Sequence, residues 1–219
     1  SRCDNVEAID SNEEYVNLCR SLGIKVTHTS FRKYNPIKIF DRIMLGNVMH
    51  YMFRECGGWE FVTKLAAISN GLVLVEAPVG MDCKDMKGVF SKSLEPMFNE
   101  ESFFSAMEKF FVLKMKIRSP SPGRWIMLFE RKKEPRIDFD TIGNLKLIKE
   151  SHESKVYRTD NMVLKMIINP TTKDEIRIRI SANSPISNGL KSMVYKDGKF
   201  AGWVEDWSDK KILKYKQKE

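Results

Sequence analysis

Three polar side chains in the first half of the sequence could take part in chemistry. Asp10 and His50 each follow a short apolar run, and Glu76 interrupts another. A histidine has an ordinary pKa near neutrality, so His50 could act as a general base that removes a proton from an oxygen acceptor. A carboxylate in an apolar strand needs a partner, and Glu76 should lie near the carboxyl end of its strand. Open α/β sheets bind ligands at that edge.

Each of these residues also has a structural interpretation. Asp10 could be a turn or cap residue after a strand, and His50 could be a histidine whose hydrogen bonds are satisfied within a helix. Asp82 and Lys84, in the loop beyond Glu76, are weaker candidates for contacts to an acceptor. The residues by themselves leave these alternatives open.

The elements that must position these residues alternate between strands and helices over the first 135 residues, which is typical of an α/β sheet. Ser11 and Glu14 predict a capping box at the start of the first helix. That helix should bury one face, and Gly23 should end it. The face consists of Tyr15, Leu18, Cys19 and Leu22. The first three predicted strands are Val6–Ile9, Ile24–Val26 and Phe40–Leu45.

The run Leu72–Ala77 is almost continuously apolar, which predicts a strand of a parallel sheet covered on both faces. The segment Gly80–Pro96 has no clear period and predicts a long loop with one helical turn. The turn-rich connector Ser119–Gly123 favours an antiparallel pair of strands. The remaining predicted elements here are the helices Trp59–Ser69 and Glu100–Lys109 and the strands Phe110–Ile117 and Trp125–Arg131.

A charged segment with Pro135 predicts a domain boundary, so we expect one domain over residues 1–135 and a small β-rich domain over residues 140–219. The stretch Thr171–Ile180 could be a helix, although its isoleucines also alternate as in a strand. A hairpin should turn at Lys196–Lys199. The predicted strands of this domain are Leu145–Lys149, Lys155–Arg158, Met162–Ile168, Met193–Tyr195 and Phe200–Asp206.

The segments Val6–Asp10 and Phe40–Leu45, together with this element order, resemble class I S-adenosylmethionine-dependent methyltransferases. The resemblance implies a Rossmann-like sheet whose second strand ends in an acid that holds the ribose hydroxyls of the cofactor, and Asp10 occupies that position. Asn47, His50 and Tyr51 follow the strand at which methyl donor and acceptor meet. The resemblance therefore implies S-adenosylmethionine as cofactor, with Asp10, Asn47 and Glu76 as its contacts and His50 as the catalytic base.

The sequence departs from that family in two places. The first strand and the Gly-rich turn that binds the methionine end of the cofactor are not found before Val6. We therefore expect either an internal fragment or a chain that has lost this element. The motif of base-amine methyltransferases, Asn or Asp followed by two prolines and an aromatic residue, is absent after Leu45, so methylation of nucleic-acid bases is disfavoured.

The second domain resembles a protein-kinase-like small lobe over its strands up to Val163–Met166. In that family a lysine of the third strand holds the nucleotide phosphates, and Lys165 stands there. Glu175 would be its partner from the following helix. The loop Glu150–Ser154 lacks the glycines of that family. Methyltransferases fused ahead of a kinase-like domain are found among bacterial enzymes that cap surface polysaccharides, and the order here resembles theirs.

Composition limits the remaining choices. The chain has 219 residues, 42% hydrophobic and 30% charged, and no apolar run long enough to span a bilayer. Four scattered cysteines and three histidines predict reduced thiols, a cytoplasmic protein and no metal site. The net charge of +8 shows only a modest C-terminal bias, so a nucleic-acid partner stays open but is not favoured.

The sequence thus predicts methyl transfer from S-adenosylmethionine to an oxygen acceptor, such as a sugar or sugar phosphate. An alternative is a non-catalytic module that uses the fold for binding or assembly, with a protein partner or a second copy. A third is a nucleic-acid methyltransferase, although basic stretches interleaved with aromatic residues are missing.

Overall fold

A computed structural model describes residues 6–78, 100–121, 123–159, 162–183 and 190–206. The predicted loop Gly80–Pro96, with Asp82 and Lys84, lies outside the described residues, as does the lysine-rich end of the chain. No helix in the described ranges is long and apolar enough to cross a membrane.

The described residues of the first half form six strands and four helices. The strands are β1 (Ala8–Asp10), β2 (Val26–His28), β3 (Phe40–Gly46), β4 (Ser69–Ala77), β5 (Phe111–Arg118) and β6 (Trp125–Arg131). The helices are α1 (Glu13–Ser21), α2 (Met49–Cys56), α3 (Gly58–Ile68) and α4 (Glu100–Glu108). Helix α2 has no counterpart among the predicted elements.

In the second half, the part of the chain that the structure describes forms six more strands and one long helix. The strands are β7 (Arg136–Asp138), β8 (Lys146–Glu150), β9 (Ser154–Arg158), β10 (Met162–Ile167), β11 (Leu190–Lys196) and β12 (Lys199–Asp206). Helix α5 (Thr172–Asn183) lies between β10 and β11, and a 3₁₀ turn (Phe139–Thr141) follows β7. Strand β7 was not among the predicted elements.

The strands form three sheets. Strands β1 and β2 pair in parallel. A second sheet has the order β3-β4-β6-β5, in which β3 and β4 are parallel and the last two strands run antiparallel to their neighbours. The third sheet has the order β7-β11-β12-β10-β9-β8. The predicted class, a mixed α/β sheet followed by a β-rich part, is confirmed.

The core of the first half covers one face of the four-stranded sheet. Val73 and Val75 of β4 are fully buried there against Phe61 of α3 and Phe103 of α4. The expectation that β4 is covered on both faces is wrong for the described residues, because burial alternates along the strand. A strand with one covered face shows this period of two.

Helix α1 differs from its prediction at its start and on its surface. Asn12, not Ser11, caps the helix, and its Oδ1 accepts hydrogen bonds from the amides of Glu14 and Tyr15 at 2.9 and 3.3 Å. Tyr15, Leu18 and Leu22 are 57–69% exposed, so the predicted buried face is wrong. The helix packs on two strands of only three residues each, which offer too little surface to bury it.

The stretch Thr171–Ile180, whose pattern fitted either a helix or a strand, lies in helix α5 and its N-terminal cap. Asp174 Oδ2 accepts hydrogen bonds from the Thr171 amide and hydroxyl, and Thr171 Oγ1 accepts one from the Asp174 amide, which is a reciprocal N-terminal cap. Ile176 packs in the core of the first half, whereas Ile178 packs with Met193 and Phe200 of the second. Ile176 and Ile178 are buried on different sides of the helix, whereas Ile180 is 36% exposed.

Buried charges join α5 to the first half. Arg179 donates from Nη1 to the Ser69 carbonyl at 3.5 Å and from Nη2 to Glu175 at 3.0 Å. Its Nε lies 3.5 Å from Oε2 of Glu134. Glu134 also contacts Arg131, whose Nε and Nη1 donate to the carbonyls of Ala66 and Phe110. Burial disfavours the charge on Arg179, but Glu134, Tyr195 and Glu175 outweigh it and raise the pKa of the guanidinium.

We expect Gly71→Ala to destabilise the protein, because a Cβ on Gly71 would overlap the Asp41 carbonyl of β3. The cost should be about 1–3 kcal/mol in urea unfolding, the range for overpacking. Gly143→Ala is the matched control, since no atom lies within 4 Å of its added Cβ. Equal midpoints for the two variants would contradict the close approach of β3 and β4.

We expect Arg179→Leu to cost about 3–5 kcal/mol, because it leaves the buried carboxylate of Glu134 without one of its two arginine partners. Arg177→Leu, two residues earlier, removes an exposed ion pair to Asp174 and should cost about 0–1 kcal/mol. Chemical denaturation of both variants tests this. If Arg179→Leu unfolds at the wild-type midpoint, the network does not hold the two halves together.

Candidate active site

The predicted site residues of the first half stand where parallel strands end. Asp10 is the last residue of β1, Asn47 follows β3, and Glu76 is the penultimate residue of β4. The register pairs Gly46 with Glu76, so the ends of β3 and β4 are level. We call this the carboxyl edge. The ring of Phe31, just after β2, lies 5.1 Å from the ring of Phe61 in the first turn of α3, which joins the end of β2 to the core of the first half.

The Asp10 carboxylate has one oxygen engaged and one available. Oδ1 accepts a hydrogen bond from the Asn12 amide at 2.7 Å, and the Asp10 carbonyl accepts one from the Thr29 amide at 2.9 Å. The first bond holds the turn between β1 and α1, and the second joins the end of β1 to the residue after β2. Oδ2 has no hydrogen-bond partner within the described ranges, and the side chain is half-buried. The geometry is compatible with both the cap and the ligand interpretations of this residue.

Asn47 carries an unusual combination of features. Its φ is 53°, in the left-handed region that few residues other than glycine and asparagine adopt. Its amide donates to the Glu76 carbonyl at 3.1 Å, which ties the end of β3 to β4. Its Oδ1 is buried and has no hydrogen-bond partner in the part of the chain that the structure describes. Because buried polar atoms are nearly always paired, this oxygen is suited to accept an N–H from a ligand.

His50 lies in the first turn of α2 and is 4% exposed. Its ring is 4.0 Å from the ring of Tyr51. Because the His50 side chain is almost inaccessible, it could remove a proton only from an acceptor group that reaches the first turn of α2. Its catalytic role stays a prediction.

Glu76 has a partner that the sequence did not indicate. The Ser119 hydroxyl donates to its Oε1 at 2.6 Å, and Ser119 Oγ accepts from the Ser121 amide at 3.1 Å. The hydrogen bond from Ser119 to Glu76 thereby fixes the connector between β5 and β6 to the carboxyl edge. Sequence reasoning treated Ser119 only as a turn residue, and nothing local distinguishes it from Ser121.

Two cations lie over the ring of Trp125. The Arg118 guanidinium lies 4.0 Å and the Lys116 ammonium 4.4 Å from the centre of the Trp125 ring. Trp125 pairs with Ala77 at the end of β4. Aromatic faces attract cations, so this end of the sheet carries positive charge at defined positions.

The predicted kinase-like pair is not formed. Lys165 Nζ lies 3.2 Å from Oε1 of Glu205, which also accepts from the Trp203 indole at 2.7 Å. Glu175 instead accepts from Arg179 and, at 2.8 Å, from the Tyr195 hydroxyl. The strand register explains this, because Lys165 stands opposite Trp203, two residues from Glu205. A role of Lys165 and Glu175 in nucleotide binding stays a prediction.

Within the described residues, the metal-ligating side chains are dispersed and the Cys56 thiol is not activated. No three His, Cys, Asp or Glu side chains there are grouped so that they could hold a metal ion. Cys56 is buried, and burial together with Glu55 and Glu60 raises the pKa of its thiol to about 11. A thiol with that pKa is a poor nucleophile near neutrality.

No protein-family model matches the sequence, and no curated protein matches it. Among solved structures, the chain is similar to the N-methyltransferase NodS from Bradyrhizobium japonicum WM9, with 10% identity and a TM-score of 0.46 over 60% of this chain and 75% of NodS. An rRNA methylase from Escherichia coli aligns with 13% identity and a TM-score of 0.41 over 58% of this chain and 49% of the methylase.

A third structure aligns with nearly the whole chain. It is WbdD in complex with a kinase inhibitor, with 13% identity and a TM-score of 0.42 over 96% of this chain and 54% of WbdD. Two of these three proteins are named as methyltransferases, the family that the sequence resembles. Because these TM-scores are below 0.5, the similarity does not indicate a function. The functional assignment depends on the residues of the carboxyl edge.

Proposed function

We propose that the carboxyl edge binds S-adenosylmethionine and that the protein transfers its methyl group to an oxygen acceptor such as a sugar or sugar phosphate. The observation that carries the proposal is the orphaned Oδ1 of Asn47, which is buried between the ends of two parallel strands. Asp10 ends β1, which pairs in parallel with β2 in a separate sheet of the same half. Ligands of open α/β sheets bind outside such strand ends.

The side chains present fit the cofactor. The half-buried carboxylate of Asp10 can accept hydrogen bonds from the two ribose hydroxyls, for which its Oδ2 is available. Asn47 Oδ1 can accept one hydrogen bond from an amino group of the cofactor. The bound cofactor supplies a methyl group on a sulfonium, which is already activated for displacement. What this chain has to add is alignment of the acceptor, and that supplies most of the rate in such a transfer.

An oxygen acceptor must also lose its proton. His50 is the proposed base, and the carboxylate of Glu76 is the alternative at the same edge. Ser119 holds Glu76 Oε1, so Oε2 would be the atom that faces an acceptor. Lys116 and Arg118 beside Trp125 would favour an acceptor that carries negative charge, which agrees with a sugar phosphate.

Asp10→Ala should weaken binding of S-adenosylhomocysteine at least tenfold, which is about 1.4 kcal/mol. The reason is loss of the carboxylate that would hold the ribose diol. Calorimetric titration of the full chain measures the affinity, and Asp41→Ala, an exposed aspartate on β3, is the control with unchanged affinity. If the folded wild type releases no heat with this ligand, methyl transfer by this chain is excluded, and the non-catalytic binding or assembly module is favoured.

Asn47→Gly tests the orphaned oxygen without straining the backbone, because glycine accepts a φ of 53° at that position. We expect about a tenfold loss of affinity for S-adenosylhomocysteine, the cost of one lost hydrogen bond in a buried site. Asn144→Gly is the matched control, since Asn144 has a φ of 54° and is exposed. Unchanged affinity in Asn47→Gly would exclude contact between this side chain and the ligand.

A further inference from the structure

A pocket of about 140 Å³ lies at the junction of the two halves, far from the carboxyl edge. Its lining includes Glu134, Arg179, Asn183, Ser192 and Met193. One water needs only about 10–15 Å³ of such space, so the pocket can hold a small molecule.

Three buried polar atoms around this pocket have no hydrogen-bond partner among the described residues. They are Arg179 Nε, Glu134 Oε2 and Asn183 Nδ2. Arg179 is 2% exposed. The first two atoms lie 3.5 Å apart, close enough for an ion pair but without hydrogen-bond geometry. Buried polar groups in native proteins are almost always paired, so a cluster of unpaired ones beside a pocket points to a ligand that completes them.

The charges around the pocket favour an uncharged ligand over an anion or a cation. Arg131 and Arg179 are balanced by Glu134 and Glu175, so the network carries no net charge. An added phosphate or ammonium ion would bring an uncompensated charge into a half-buried site, which is costly. The groups that lack a hydrogen bond comprise one acceptor and two donors. A hydroxyl group both donates and accepts, so one hydroxyl can donate to Glu134 while accepting from Arg179.

A second hydroxyl next to the first would accept from the amide of Asn183. The thioether and methylene groups of Met193, which is buried, offer an apolar wall for the carbon skeleton. We propose that this pocket binds a neutral polyhydroxyl ligand, a polyol or a monosaccharide unit, through Glu134, Arg179 and Asn183.

This site is separate from the proposed methyl-transfer site and does not depend on it. Arg179 contacts Ser69, the first residue of β4, whereas Glu76 stands near the other end of that strand. Seven residues of extended strand span about 23 Å. A molecule in the pocket therefore cannot be the acceptor at the carboxyl edge.

The test is an NMR titration of the full chain with methyl α-D-glucopyranoside, methyl α-D-mannopyranoside and glycerol as probes. Tetrahydropyran, a ring of the same size without hydroxyl groups, is the control probe. We expect saturable shifts of the Asn183 side-chain amide with at least one hydroxylated probe at millimolar concentration and none with tetrahydropyran. Asn183→Leu and the isosteric Asn183→Asp should each weaken binding at least tenfold.

Ser181→Ala, an exposed change on the same helix, is the control variant and should bind as the wild type does. Thermal unfolding of each variant confirms that it is folded before the affinities are compared. If no probe binds the folded wild type, the pocket holds ordered water only and the proposal is wrong. Binding that persists in both folded Asn183 variants would place the sugar elsewhere and would also overturn it.

Discussion

The rest of this structure depends on how the buried charge of Arg179 is compensated. Arg179 is almost inaccessible to water, and a guanidinium there is tolerated only if carboxylates and carbonyls replace its hydration. Glu134, from the segment between the two halves, and Ser69, at the start of β4, supply part of that compensation. Helix α5 can therefore occupy only one position, with Ile176 in the core of the first half.

The position of α5 has consequences for the second sheet. Arg179 and Tyr195 both engage Glu175, which keeps this carboxylate away from Lys165. Lys165 instead forms an ion pair with Glu205 on the neighbouring strand. A purely apolar contact would hold the two halves together at least as tightly, since buried ion pairs often add little net stability. What the ion pairs add is a geometric requirement, because a shifted helix would leave charges buried without partners.

The sequence predicts those elements whose pattern is decided locally. Strand β6 follows from its apolar run between a turn and charged residues, and its observed bounds agree with the prediction. The face of α1 shows the limit, because a helical period says which residues share a side but not whether anything covers it. Ser119 and Arg179 show another limit. Their partners, Glu76 and Glu134, are 43 and 45 residues away, and no local signal links them.

The two candidate sites share one physical signature at opposite ends of β4. Within the described residues, Asn47 Oδ1 is buried without a hydrogen bond at its carboxyl end, and Arg179, which contacts Ser69 at its amino end, has an Nε without one. Unpaired buried groups cost folding free energy wherever they occur, so a stable protein keeps few of them. Strand β4 is hydrogen-bonded to β3 on one side and β6 on the other, and it holds both sites at a fixed separation. The central strand thus positions polar groups that lack hydrogen bonds in the folded protein. A ligand bound at either end of β4 would form those hydrogen bonds and offset the free energy lost by burying the groups without them.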